Sequence, residues 1–287
     1  MNDLFHASPR MVRGMIRQGE LVRPTAGMCG GYAQGNLVVL PKELAYDFLL
    51  FAQRNPKPCP LLEVSDEGSR EFSITAPGSD IAVDIPKYRV YENGVLTGEY
   101  EDVSPFWRGD FVSFLIGCSF TFESPMMEEG VPVRHIENGR NVPMYITNIE
   151  CKSAGVFSGP MVCSMRPIPG SLVSRAALVS GRYPKVHGAP VHVGDPSLIG
   201  IHDVMKPEFG DPPDIRPGEI VMINKDGLKS YTGVQSSETA LCVFEYVYFA
   251  RPDSDIDGIS VYKAREAMGT RLAQRFPVDA DLVADVP

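Results

Sequence analysis

The sequence predicts a mixed α/β protein. Short apolar runs of strand length are broken by Gly, Pro and Asn-Gly turns, and they alternate with segments whose apolar residues recur at helical spacing. Composition agrees: 44% of the 287 residues are hydrophobic and 22% charged, which supports a packed core and argues against wholesale disorder. At this length a single core nears the limit of its growth, so the expectation is one large domain or two intimate lobes.

Taken in order, Ser8-Pro9 followed by apolar residues at helical spacing predicts a short helix to Arg17, with Ser8 as N-cap and Pro9 at the first helical position. Thr25 to Asn36 is a glycine-rich loop that feeds a strand at Leu37-Val38-Val39-Leu40. Leu44, Phe48 and Phe51 then mark a second helix, ended by the proline cluster at 56–60. Short strands follow to Tyr100, with a hairpin turning at Asn93-Gly94. A helix is expected over Trp107 to Ile116 and another over Ser171 to Ser180, with turns and short apolar runs between and after them. Beyond residue 215 the sequence reads as a strand at Ile220-Val221-Met222-Ile223, a turn at Lys225-Asp226-Gly227, a strong β run from Leu241 to Phe249 and a helix from Tyr262 to Phe276.

The formal net charge of -9 and pI near 5.1, with no stripe of Lys and Arg, exclude nucleic acid as a partner class. The first residues lack a basic segment followed by an apolar run, and nowhere do about 18 apolar residues follow one another, so no membrane association and a cytoplasmic protein are expected. The six cysteines, at 29, 59, 118, 151, 163 and 242, form no Cys-x-x-Cys pair, which reads as reduced thiols without a structural zinc.

Four clusters could carry chemistry. In Gly27-Met28-Cys29-Gly30-Gly31-Tyr32-Ala33-Gln34-Gly35-Asn36 the glycines would let backbone amides approach a carboxylate; a tight turn explains them equally well. Gly117-Cys118-Ser119-Phe120-Thr121-Phe122-Glu123 places a thiol, hydroxyls and a carboxylate after an apolar segment. There Cys118 is a low-pKa thiolate at a helix end or a buried small hydrophobe, and Glu123 a general acid or a solvated loop carboxylate. In Arg134-His135-Ile136-Glu137-Asn138, a strand would point His135 and Glu137 to one face, as an acid/base pair or as the ordinary polar face of a half-buried sheet. His187-Gly188-Ala189-Pro190-Val191-His192-Val193-Gly194-Asp195 offers two histidines and a carboxylate, for a metal, for ligand binding or proton transfer, or for a turn.

These clusters, in this order, with Gln53-Arg54-Asn55-Pro56-Lys57-Pro58-Cys59-Pro60, Val142-Pro143-Met144-Tyr145 and Ser164-Met165-Arg166-Pro167, resemble the hydro-lyase family that includes D-glutamate cyclase, over residues 1 to about 214. The resemblance implies two interleaved α/β lobes, no metal or nucleotide cofactor, a small-molecule acid substrate, and conversion of D-glutamate to 5-oxo-D-proline with loss of water. It leaves room for a homo-oligomer. That chemistry asks for a cation on the α-carboxylate, donors on the γ-carboxyl and an acid for the departing oxygen. Arg166 is the expected clamp and Gln34 and Asn36 the donors. Glu123, His135 and Glu137 are the acid/base candidates, Cys118 a further participant, and His187 and His192 substrate-binding residues.

The remainder, about 216–287, departs from that family and is similar to amidophosphoribosyltransferase, above all at Glu245-Tyr246-Val247-Tyr248-Phe249-Ala250-Arg251-Pro252-Asp253-Ser254. It carries neither the N-terminal nucleophilic cysteine nor a phosphate-binding loop, so it is expected to run neither half of that reaction. The division expected is 1–214 and 215–287, with an inactive or small-acid-binding remnant of the hydro-lyase family as one alternative function and a purine-biosynthesis amidophosphoribosyltransferase fragment as the other.

Overall fold

Ser8 accepts a hydrogen bond from the Met11 amide at 3.3 Å and Pro9 needs no amide partner, so α1 (Pro9–Arg17) starts where its sequence predicts. The computed structural model describes residues 4–214, 221–224, 227–230, 255–256 and 259–275. Val12 and Ile16 of α1 pack on Leu21 and on Met28 and Cys29 of the glycine-rich loop, which seats that loop against α1.

The loop leads into β1 (Gly35–Pro41), then α2 (Lys42–Arg54), β2 (Leu61–Val64) and the hairpin β3 (Tyr88–Glu92) and β4 (Val95–Tyr100). Asn93 and Gly94 both take positive φ, 51° and 80°, as a tight two-residue hairpin turn requires. The expected helix over 107–116 is absent. Those residues instead form β5 (Phe111–Gly117), the central strand of a three-stranded antiparallel sheet in the order β1-β5-β2. Phe111-Val112-Ser113-Phe114-Leu115-Ile116 has no strand alternation because both faces of an inner strand are covered, which is what makes such a run look helical. Phe48 of α2 packs edge-on to Phe114 at 4.8 Å and to Phe157 at 5.2 Å. Truncating Phe114 to Ala should therefore cost about 3–5 kcal/mol.

After β5 the chain enters a 3-10 turn (Ser119–Phe122) and α3 (Glu123–Glu128), then α4 (Arg134–Glu137). The strand expected at 134–138 is thus a single helical turn. The Val133 carbonyl accepts from the Ile136 and Glu137 amides, and Gly139 at φ 62° ends it. Successive residues there point about 100° apart rather than alternating, so His135 is buried and Glu137 exposed. β6 (Met144–Glu150) and β7 (Pro160–Ser164) form a second hairpin, and α5 (Val173–Gly181) follows a 3-10 turn at Gly170–Leu172. Phe122, Met126, Val131, Val133, Ala176, Val179 and Val186 make one core beneath this region.

β8 (Val221–Asn224), within the expected strand, pairs with β9 (Gly227–Ser230); Lys225 and Asp226 of the expected turn lie outside the described residues. The chain forms two compact units, Met1–Gly233 and Val234–Pro287. In the latter, β10 (Asp255–Ile256) pairs with β11 (Ile259–Ser260), and α6 (Val261–Arg275) matches the helix expected from Tyr262. The β run expected at 241–249 lies outside the described residues. No helix among the described residues is long and apolar enough to cross a membrane.

Candidate functional site

Two amides at the end of β5 tie three segments together. Gly117 N–H donates to the Pro60 carbonyl at 2.8 Å, and Cys118 N–H donates to the Gln34 carbonyl at 2.9 Å. These bonds draw the glycine-rich loop, the proline cluster and the 117–123 segment to one place, at the wall of a cleft of about 1360 Å³ lined by Asn36, Lys57, Cys118, Ser119, Ser164, Arg166, His187 and His192 among others.

Arg166, just past β7, is the best-anchored cation of this wall. Its Nε donates to Glu123 Oε1 at 3.1 Å and its Nη2 forms a very short bond to the same oxygen. Nη2 also donates to Ser119 Oγ at 2.9 Å and Nη1 to Ser164 Oγ at 3.0 Å, while the guanidinium lies over the Phe122 ring at 5.3 Å. Each hydroxyl accepts from the guanidinium and so keeps its own O–H for another acceptor. Four of the five guanidinium N–H bonds are thus committed, so the wall presents one remaining Nη1 N–H beside two hydroxyl donors in the field of the cation, donors that suit a carboxylate.

Glu123, 1% exposed, does not line the cleft; it stands behind Arg166 as its counter-ion. Burial pushes its carboxyl up, but the Arg166 guanidinium and the His135 ring outweigh burial and hold it below the ordinary carboxylate value. It is therefore an anion rather than a proton donor at neutral pH, and the solvated-carboxylate alternative does not describe it. His135 Nε2 lies 2.9 Å from Glu123 Oε1 without completing an aligned hydrogen bond, and Glu123 Oε2 likewise has no partner among the described residues. Glu137, which the strand expectation paired with His135, faces solvent on the far side of α4.

Cys118 follows a strand, not a helix, and is buried. Burial raises its thiol pKa, with the Phe120 amide, Arg166 and the Asn36 side chain pulling only partly the other way, so the buried-hydrophobe reading fits it better than the thiolate. Gln34 was expected as a substrate donor, but its amide is occupied: Oε1 accepts from Thr25 Oγ1 at 2.6 Å and Nε2 donates to the Met28 and Thr25 carbonyls. It closes the glycine-rich loop. Asn36 is exposed and lines the cleft.

His187 has its Nδ1 2.9 Å from the Lys57 carbonyl oxygen, and His192 its Nε2 2.7 Å from the Asp195 carbonyl oxygen. Both line the cleft, and among the described residues no group of three or more His, Cys, Asp or Glu could hold a metal ion. Ser164 and Lys57 were given no role from sequence. Ser164 sits two residues before Arg166, the one available signal, while nothing local to Lys57 points to a partner 130 residues away.

A family model described as D-glutamate cyclase matches residues 112–246. The chain is 63% identical over 218 residues to a protein of Clostridium beijerinckii named "Putative hydro-lyase", covering 76% of this chain and 83% of that one. A protein of the same name from Stutzerimonas stutzeri is 61% identical over 213 residues, 74% and 80% of the two chains. Another from Psychrobacter arcticus is 50% identical over 260 residues, 89% of this chain and 99% of that one.

Proposed function

The chain belongs to the D-glutamate cyclase family of hydro-lyases, and from that premise we propose that its cleft binds D-glutamate or a related small acid and closes it to 5-oxo-D-proline with loss of water. The observation that carries this reading is Arg166: a guanidinium kept in place and charge-balanced from behind by Glu123, flanked by the Ser119 and Ser164 hydroxyls, on the wall of a cleft.

In this reading the α-carboxylate lies on Arg166, Ser119 and Ser164, which leaves the α-amino group and the side chain free to bend toward each other. The exposed amide of Asn36 is the donor for the γ-carboxyl, whose oxygen gathers charge as the ring closes. Glu123 and His135 position Arg166 and do not touch substrate. Holding both ends of a five-carbon acid converts a rare folded conformer into the bound one, which lowers the entropic part of the barrier.

Incubating the purified chain with D-glutamate and, separately, with 5-oxo-D-proline, followed by proton NMR with the L-isomers as controls, tests the reading. Interconversion confined to the D-isomers is expected. Absence of conversion by a folded chain that still binds D-glutamate in calorimetry would replace it with the small-acid-binding remnant.

Residues 215–287 are read as a segment of separate origin similar to amidophosphoribosyltransferase. What supports a boundary there, though not the likeness itself, is that the alignments to the first two relatives run 218 and 213 residues, close to the length of the 1–214 segment. The match at 112–246 and the 260-residue alignment both run past residue 214. Removing 215–287 decides between them: unchanged kinetics and melting are expected, and loss of either would tie those residues to the family domain.

A further inference from the structure

We propose that His187 is the proton-transfer base of this site and that Lys57 is the positioning residue that locks it into the tautomer able to act; the proposal rests on the cyclase reading above. The backbone of His187 is left-handed, φ 82°, a conformation that a side-chain-bearing residue keeps only where its surroundings impose it. Lys57 imposes it from one side, its Nζ donating to the carbonyl oxygens of His187 at 3.0 Å and Ala189 at 2.5 Å. Gly117 permits it from the other, since a Cβ there would collide with the Lys185 carbonyl and with Val186.

Lys57 also aims the ring. Its carbonyl oxygen lies 2.9 Å from His187 Nδ1. A carbonyl can only accept, so Nδ1 carries the hydrogen and Nε2 of the neutral ring is left with its lone pair. Burial lowers the ring's pKa, the Lys57 carbonyl opposes it, the Arg166 and Lys57 cations lower it again, and the Gly117 carbonyl opposes them; the sum lies below the ordinary histidine value, so the ring is neutral at pH 7. His187 and Lys57 line the same cleft as Arg166. The other histidine of the wall, His192, is held within its own turn, with its Nε2 on the Asp195 carbonyl and its lone pair left on Nδ1, whereas His187 is gripped by Lys57 from a distant segment; His135 and Glu123 stand behind Arg166, away from the cleft.

The step balances without a further reactant. The substrate ammonium gives one proton to His187 Nε2, and the freed amine attacks the γ-carboxyl carbon, forming the C–N bond. The imidazolium returns that proton to a γ-oxygen. The C–O bond then breaks, and the oxygen takes a second proton from nitrogen and departs as water. Two protons leave nitrogen, both leave with oxygen, and His187 ends neutral.

Nitrogen-15 correlation spectra of the full chain labelled at histidine report the tautomer independently of activity, and the Nδ1–H form is expected for His187. Lys57→Met keeps the carbonyl that faces Nδ1 but removes the Nζ clamp on the His187 and Ala189 carbonyls, so it should lower the population of that form and lower kcat about tenfold with KM little changed, and Lys57→Arg should recover part of both. His187→Gly, which accepts positive φ without strain, should lower kcat about 100-fold or more. Added imidazole should restore activity in proportion to its neutral fraction. An Nε2–H tautomer, or a His187→Gly chain whose kcat stays within about twofold of an active wild type, overturns the proposal. A wild type that never converts D-glutamate removes the cyclase reading and this base with it, and the tautomer spectra still show whether Lys57 sets the ring.

Discussion

Replacing Glu123 with Gln keeps shape and removes one buried charge, and the cost can be worked from the geometry. The carboxylate is 1% exposed, the Arg166 side chain 9%, and two guanidinium nitrogens converge on one Glu123 oxygen. Removing one partner of a buried pair leaves the other charge uncompensated, which costs about 3–5 kcal/mol. The Gln carbonyl still accepts one guanidinium N–H, so the lower end, about 3 kcal/mol, is expected. At roughly 2–4 °C per kcal/mol for domains of 150–250 residues, the melting temperature should fall by about 6–12 °C. The pH dependence has a definite sign. The folded carboxyl titrates below its ordinary value of 4.5, so its stabilisation is complete above that value and is lost as pH falls through the folded one. Wild type should weaken on acidification through this range, and Glu123→Gln should lack that part of the slope. Urea unfolding between pH 3 and 7 measures both. Equal midpoints and parallel acid slopes for the two proteins would refute the assignment of Glu123 as the counter-ion of Arg166.

Arg166→Lys keeps the charge but cannot reach Glu123, Ser119 and Ser164 at once, so KM for the acid should rise about 10- to 100-fold in steady-state kinetics; an unchanged KM would take Arg166 out of the site. Glu137→Ala should leave kcat and KM within about twofold of wild type, because an exposed carboxylate on the outer face of α4 has no route to the cleft; a large loss of kcat would return it to the acid/base set. Cys118, its thiol pKa raised by burial, should resist iodoacetamide in the native protein at pH 8 and react on unfolding, as followed by mass spectrometry. Rapid native alkylation would show a thiolate after all.

Local signals carried much of the fold. Ser8-Pro9, the Asn93-Gly94 turn and the periodicity of 42–54 and 261–275 each encode their own geometry within a few residues, and the structure has them where they were expected. The 111–117 segment lacks a strand's alternation because its identity depends on distant residues: strand partners far earlier in the chain, from Gly35 opposite Gly117 to Pro41 opposite Phe111, and side chains such as Phe48 packed on its face. The site shows the same division. Arg166 was chosen as the clamp for its charge, yet the charge on Glu123, its retreat from the cleft wall and the grip of Lys57 on His187 are contacts across 43 and 130 residues. Residue type alone could not distinguish a carboxylate that meets substrate from one that stands behind an arginine.

That dispersion also governs when the site comes into being. Closing loops of this length carries an entropic cost that contacts repay only once both ends are present, and non-local pairings of this kind slow folding. Until synthesis passes residue 187, the segment that faces Lys57 does not exist, so the pocket is completed only after most of the first unit is ordered. A small acid held there binds the native chain and none of its precursors. At about a hundredfold excess over its Kd, it would shift the folding equilibrium by about 2.7 kcal/mol, which couples the abundance of the protein to the abundance of its ligand.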